Sequence, residues 1–362
     1  MKKLRAAVVG ATGIAGQQAL VALHDHPWFT VTTLAASARS AGKPYAEAIR
    51  SDSGARLWWC KEEPSPHVLG LTVQDAAAMD PGSVDVIFSC IEADAARELE
   101  PRFARATPTL SSASAFRYET DTPILVPGVN MVSHFPLVEH QRRQRGWKGF
   151  VLPQSNCTVV GVVISMKPLV DRFGVKRVLL TTMQAISGAG RAGGVLGLDM
   201  VDNLVPYIPK EEDKVAKEAP KILGRLGEGS VTPHPMRVGA TCTRAAVLDG
   251  HTAAVALETE RPCSPDEAAA VMREFRGDYG GLGLPSAPTH PILVHDDPFR
   301  PQPRLDRDAE GGMATTVGRI RPEPALENGL KYVCLSHNTA IGASKGLVLT
   351  AEYLRSAGYL GA

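Results

Sequence analysis

The sequence predicts an α/β protein in two parts, an N-terminal doubly wound parallel sheet followed by a second α+β domain. Three observations carry this. Residues 4–9 are mostly apolar and strand-like, then Gly10, Gly13 and Gly16 punctuate the chain before a helix-like run at 17–23. Strand, glycine turn and helix in that order is the phosphate-cradling context of a Rossmann-type sheet. Further strand-like and helix-like segments alternate up to about residue 145, as parallel sheets require. Beyond residue 150 the texture changes to clustered strands joined by polar loops. A chain of 362 residues also exceeds what one ordinary core accommodates.

The elements follow in order. Strands are expected at 31–35 and 85–89, with an alanine-rich helix at 93–106 and a basic helix at 132–145. Gly146-Trp147-Lys148-Gly149 reads as a boundary, which places residues 1–150 in the first domain and 151–337 in a catalytic and oligomerisation domain. A helix is expected to start at Cys157, a β-branched strand to run over 175–183, and a charged helix over 210–226, interrupted by Pro220. Strands at 241–247 and 252–259 look like a hairpin turning at Asp249-Gly250-His251. Ser264-Pro265-Asp266-Glu267 has the spacing of a capped helix start. Strands at 313–319 and 331–336 precede a single helix at 339–356, and residues 338–362 are expected to pack back onto the first domain.

Composition narrows the function. Apolar residues make up 44% and charged residues 21%, a balance typical of a globular chain with a large core. Lys and Arg number 39 against 38 Asp and Glu, so a net charge of +1 leaves no footprint for nucleic acid or an anionic membrane. The longest apolar runs fall short of the roughly 20 residues that cross a bilayer, and the first residues do not form a signal peptide. Six scattered cysteines suggest reduced thiols in a cytoplasmic protein, and neither a disulfide framework nor a metal site.

Two stretches point to chemistry. The second strand does not end in the acidic residue that would hold a ribose hydroxyl, and instead meets Ser37, Arg39, Ser40 and Lys43. Hydroxyls and a guanidinium suit a 2′-phosphate, so NADP is expected over NAD. The alternative is a solvated basic loop. In Pro153-Gln154-Ser155-Asn156-Cys157-Thr158 a cysteine stands at a helix start, where unpaired N–H groups favour a thiolate; a small buried cysteine is the plainer reading.

Taken together, GATGIAG at the N-terminus, SARSAGK, SNCT, QAISGAG, EEDK followed by EAPKILG, Arg244 with Gly250-His251, RPQPRLDRDA and SHNT resemble the aspartate-β-semialdehyde dehydrogenases, in the branch typified by archaeal and fungal enzymes. The likeness spans nearly the whole chain. It implies an enzyme of amino-acid biosynthesis in which Cys157 attacks β-aspartyl phosphate, phosphate leaves, and NADPH reduces the thioester to the semialdehyde. By the same resemblance His251 is the acid–base and Gln184 orients the substrate. Arg244 is expected to grip its α-carboxylate and Glu218 to receive its α-amino group. Arg117 and Lys221 are the expected phosphate contacts, with Asn130 beside them. Ser155 and Asn156 are expected to support the nucleophile. The cofactor set comprises Gly10, Thr12, Gly13, Ile14, Gly16, Ser37, Arg39, Ser40, Ser89, Ser187, Gly188 and Asn338. The family is homo-oligomeric, so a homodimer or homotetramer is expected.

The sequence departs from the family pattern at Cys90-Ile91-Glu92, Gly128, Ile341 and Lys345, around the cofactor and the closing helix. A malonyl- or succinyl-CoA reductase shares the scaffold and the thioester logic, but needs no site for an α-amino group or free phosphate. N-acetylglutamyl phosphate reductases are more distant. A cysteine hydrolase would leave the NADP features without a role, and a non-catalytic cofactor sensor would leave the Cys, Gln, Arg and His set without one.

Overall fold

A computed structural model describes residues 2–189 and 197–361. In its first sheet, β1 (Leu4–Val9), β2 (Phe29–Ala36), β3 (Val73–Asp75), β4 (Val86–Ser89), β5 (Thr109–Ser111) and β6 (Val151–Pro153) lie in the order β3-β2-β1-β4-β5-β6. All five pairings are parallel. Helices cover both faces of such a sheet, which is why Ala6, Ala7, Val8 and Val9 of β1 read as a continuous apolar run and are fully buried. With β2 on one side of β1 and β4 on the other, the strand order reverses at the carboxyl end of β1, where ligands of such sheets bind. The expected border at residue 150 falls one strand early, because Val151–Pro153 pairs with β5 and closes this sheet.

The chain leaves β6 through three residues and enters the helix Cys157–Phe173. Twelve of its seventeen residues are buried, so it is a core helix with little polar face. It packs on the second sheet and on the helix Glu211–Ile222. That sheet comprises β7 (Val175–Gln184), β10 (Arg237–Arg244), β11 (His251–Thr259), β12 (Ile292–His295), β13 (Thr315–Pro322) and β14 (Gly329–Ser336), ordered β10-β7-β11-β14-β13-β12. A short antiparallel pair, β8 (Arg225–Leu226) and β9 (Val231–Thr232), stands apart.

The expected hairpin at 249–251 is corrected by this order. β7 lies between the two strands: β10 runs parallel to it and β11 antiparallel. Residues 245–250 therefore cross over the end of β7, and this crossing brings Gln184, Arg244 and His251 together at one end of three adjacent strands.

Three helix expectations also change. The basic segment is two helices, Met131–His134 and Leu137–Arg145, separated at Pro136, which has no N–H to continue the first. The charged helix runs past Pro220 and ends at Ile222. The terminal segment opens with a π-type turn, Ala340–Ser344, distorted at Ala343, before the helix Lys345–Ser356. This segment packs on the first sheet's side of the molecule. The Ser344 hydroxyl donates to Ala15 O, Glu352 pairs with His26 at 2.8 Å, and Arg355 donates to the Trp28 carbonyl at 2.5 Å.

Candidate active site

The helix start at Cys157 is fixed by its neighbours. Asn156 caps it, its side-chain oxygen accepting the N–H groups of Thr158 and Val159, a contribution of about 1 kcal/mol. Cys157 Sγ lies 3.3 Å from His251 Nε2 across the gap between the helix and β11. His251 Nδ1 accepts the Ala185 N–H at 3.0 Å, and Arg244 Nη1 donates to Ala185 O at 2.8 Å. One residue just past the end of β7, Ala185, thus aims both groups, its N–H the imidazole and its carbonyl the guanidinium. Because Nδ1 is an acceptor, the neutral ring carries its hydrogen on Nε2, facing sulfur. Gly188 closes the other side: a Cβ there would lie 2.9 Å from His251 Cε1 and 3.1 Å from Arg244 Nη1, so the close approach requires glycine.

Electrostatically, this pair rests as a thiol beside a neutral imidazole. Burial, then the Glu211 carboxylate, push the Cys157 thiol up to about 12, while Arg117, Lys214 and Arg244 act the other way. Burial, then Arg244 and His337, lower His251 to about 3. The thiolate expected from the helix start is therefore outweighed before substrate binds.

Cys157 sits in a cleft of about 1010 Å³ that also reaches Thr12, Gly13 and Ile14 of the glycine turn. Arg39, Ser40, Ser187, Gly188 and Asn338 line it, together with Lys43. Asn338 ties the loops together, accepting the Gly250 N–H and donating to the Ser187 hydroxyl. Gly10 and Gly16 shape the turn from beneath. Gly10 has φ +80°, and Cβ atoms at the two positions would meet Cys90 O at 2.3 Å and Gly10 O at 2.2 Å. A tight turn of this kind opening onto a helix, beside a cationic loop with no acidic residue at the end of β2, fits a dinucleotide bearing a 2′-phosphate.

Other expected contacts lie elsewhere. Ser37 is exposed, outside the cleft lining, and Ser89 is fully buried, its hydroxyl donating to Glu100 at 2.7 Å. Gln184 is buried, with its amide nitrogen 3.3 Å from Thr182 Oγ1. Asn130 is corrected from a substrate contact to a structural one: its amide is spent on Val126 N–H, Ile124 O, Ile222 O and His134.

Glu218 and Lys221 are corrected too. Glu218 has no exposed surface, and its oxygens already accept from Arg117, Tyr118, Ser155 and the Asn156 N–H, leaving no room for an ammonium. Lys221 Nζ donates to the carbonyls of Arg117 and Glu119, and burial lowers it to about 8.

A carboxylate and an amine that act on the nucleophile's charge are Glu211 and Lys214. Glu211 accepts from Asn156 Nδ2 at 2.8 Å and Lys214 Nζ at 3.1 Å, and Lys214 lines the cleft. The sequence carried a signal for them: Glu211/Lys214 repeats the spacing of Glu218/Lys221 seven residues earlier, two helical turns along the same face. Arg117 also lines the cleft. Among the described residues no cluster has the makings of a metal site, and no helix is long and apolar enough to cross a membrane.

Comparison with known proteins matches this geometry. Residues 5–134 fit the model of the semialdehyde dehydrogenase NAD binding domain, and residues 166–341 that of the semialdehyde dehydrogenase dimerisation domain. The aspartate-semialdehyde dehydrogenase of Methanothermobacter thermautotrophicus is 44% identical over 347 residues, covering 96% of this chain and 97% of its own. The chain belongs to the aspartate-semialdehyde dehydrogenase family. A fungal member, from Aspergillus fumigatus, is 41% identical over 99% of both chains. The crystal structure of the Candida albicans aspartate semialdehyde dehydrogenase with NADP superposes with a TM-score of 0.87, at 39% identity, over 98% of this chain and 99% of that one. Both the archaeal and the fungal sides of the family are therefore close to this chain, as its motifs implied.

Proposed function

We propose that this chain is an NADP-dependent aspartate-semialdehyde dehydrogenase, reducing β-aspartyl phosphate to aspartate semialdehyde through a thioester on Cys157. The observation that carries the reading is a thiol 3.3 Å from an imidazole, in the same cleft as the glycine turn and its cationic loop. The relatives named above carry this activity in their names.

The residues divide the work. Arg244, buried and held by Ala185, offers its remaining donors to the substrate α-carboxylate, where a planar fork fits. Glu211 takes the α-amino group, and Lys214 and Arg117 flank the phosphate. Sulfur attacks the acyl carbon, and the phosphate departs with the thiol proton. A thioester remains, whose carbonyl accepts hydride as a carboxylate would not. A bound reduced nicotinamide supplies the hydride. Hydride addition to the thioester carbonyl gives a hemithioacetal oxyanion. Its collapse re-forms the carbonyl as the aldehyde and breaks the C–S bond, and the departing sulfur, hydrogen-bonded by His251 Nε2–H, regains its proton from solvent by way of that imidazole. Arg39, Ser40 and Lys43 hold the 2′-phosphate.

We also propose a nucleotide-binding unit that reaches through β6 and is completed by residues 338–361, a cytoplasmic setting, and assembly of copies through the second sheet. One face of that sheet carries helices. The other presents Leu179, Thr181, Thr241 and Ala254 at alternate positions, all exposed and uncharged, with Arg321, Glu323 and Lys331 beside them. That face suits a second copy, in keeping with the dimerisation model that covers it.

The test is the reverse reaction, aspartate semialdehyde with phosphate and NADP. NADPH should accumulate with the wild type and not with Cys157→Ala. Turnover by Cys157→Ala at the wild-type rate would overturn the proposal.

A further inference from the structure

We propose that Glu218 and Lys221 form a positioning clamp that sets the nucleophile and the phosphate arginine in one frame; this deepens the thioester reading above and rests on it. The Glu218 carboxylate has four hydrogen-bond partners and no exposed surface. Oε1 accepts from Arg117 Nη1 at 3.1 Å and from the Tyr118 hydroxyl at 3.1 Å. Oε2 accepts from the Ser155 hydroxyl at 3.0 Å and from the Asn156 N–H at 2.7 Å. An ionised carboxylate offers about four lone-pair directions, and here each is taken. The Asn156 amide belongs to the residue immediately before Cys157, so a shift of that peptide moves the sulfur.

Three residues along the same helix, Lys221 Nζ donates to the carbonyls of Arg117 at 2.8 Å and Glu119 at 2.9 Å. Residues 117–119 are thus gripped twice by one helix face, at the Arg117 side chain and at the backbone. Arg117 itself is tied by Nε to Gln154 O and by Nη2 to Ser112 O. Of its five N–H donors three are occupied, and one on each terminal nitrogen is left for an anion in the cleft. Without the clamp both ends of the reacting pair, sulfur and leaving group, would lose their common support.

Glu218→Gln separates this from direct substrate binding. The amide keeps the size but places an NH₂ against either Arg117 or the Asn156 N–H. The Ser155 and Tyr118 hydroxyls can turn and accept, whereas guanidinium and peptide N–H cannot. We expect the KM for phosphate in the reverse reaction to rise about tenfold or more, and kcat to fall by about the same factor, the scale for a displacement below one ångström. The affinity for NADP should stay near wild type, and the melting temperature should fall only by what one buried, unsatisfied donor costs, which leaves the variant folded. Alkylation of Cys157 by iodoacetamide, which needs no substrate, should change at least about fivefold with the placement of the sulfur.

Lys221→Met is the second variant, expected to raise the phosphate KM while leaving alkylation within about twofold, since it releases only the Arg117 side of the frame. A folded Glu218→Gln enzyme with wild-type alkylation and wild-type phosphate KM overturns the clamp. So does a rise in the KM for aspartate semialdehyde alone, which would return Glu218 to the substrate. If the wild type fails to turn over aspartate semialdehyde, the function above falls, and the alkylation comparison still decides the clamp.

Discussion

Gly188→Ala gives the most demanding local test of the site. The added methyl would sit 2.9 Å from His251 Cε1, 3.0 Å from His251 Nε2 and 3.1 Å from Arg244 Nη1, inside ordinary contact distance on all three. Neither neighbour can swing away freely, because Ala185 holds the ring at Nδ1 through its N–H and the guanidinium at Nη1 through its carbonyl. The relief is a displacement of a few tenths of an ångström, which stretches the 3.3 Å contact between sulfur and imidazole toward the limit of a hydrogen bond. If one ångström of misplacement costs about 10²-fold, kcat should fall about tenfold, or about 1.4 kcal/mol of transition-state stabilisation. Stability should change little. The Gly188 backbone is outside the left-handed region, and alanine stiffens the unfolded chain by about 0.4–1 kcal/mol, which offsets part of the crowding. The assay is steady-state kinetics with saturating NADP, paired with thermal melting. A variant with kcat within about twofold of wild type would refute the argument from crowding. So would a loss of kcat confined to subsaturating NADP, because the methyl would then be blocking the cofactor.

Other expectations follow from the same geometry. Because burial and Glu211 raise the Cys157 thiol, its alkylation should climb with pH through neutrality and into the alkaline range; a plateau reached below neutral pH would contradict this. Glu211→Gln removes the second of those causes, so alkylation at neutral pH should accelerate while turnover falls, and slower alkylation would count against the assignment. Arg39→Ala should raise the KM for NADP about 10- to 100-fold and alter that for NAD much less, read from paired cofactor titrations. Equal losses for both would remove Arg39 from the 2′-phosphate. Leu179→Arg, on the open sheet face, should shift sedimentation toward the monomer, and an unchanged oligomer would move the interface elsewhere.

Much of this was legible in the sequence, for identifiable reasons. β1, its glycine turn and the following helix declare themselves locally, since a strand buried on both faces is apolar throughout and the turn admits only glycine at Gly10. Cys157 and His251 stand in separate motifs, and the fold brings them together. Asp249-Gly250 misled because it is a genuine hairpin signal, and nothing local reports that β7 inserts between the flanking strands. The assignment of Glu218 and Lys221 to the substrate fails for a related reason, with Glu211 and Lys214 seven residues earlier on the same helix. Both pairs have one spacing on one helix face, and only the packing of Arg117, Tyr118 and Ser155 around Glu218 shows which pair is enclosed. The Cys157 proton affinity was misjudged because a helix start is visible in sequence and desolvation is not.

The central claim is that the acyl group on Cys157 exchanges with phosphate. It is tested by following NADPH formation with aspartate semialdehyde and phosphate, and separately with malonate semialdehyde and coenzyme A. The two cations beside the thiol, Arg117 and Lys214, predict turnover with the first pair and little with the second. Preference for malonate semialdehyde and coenzyme A would contradict the account.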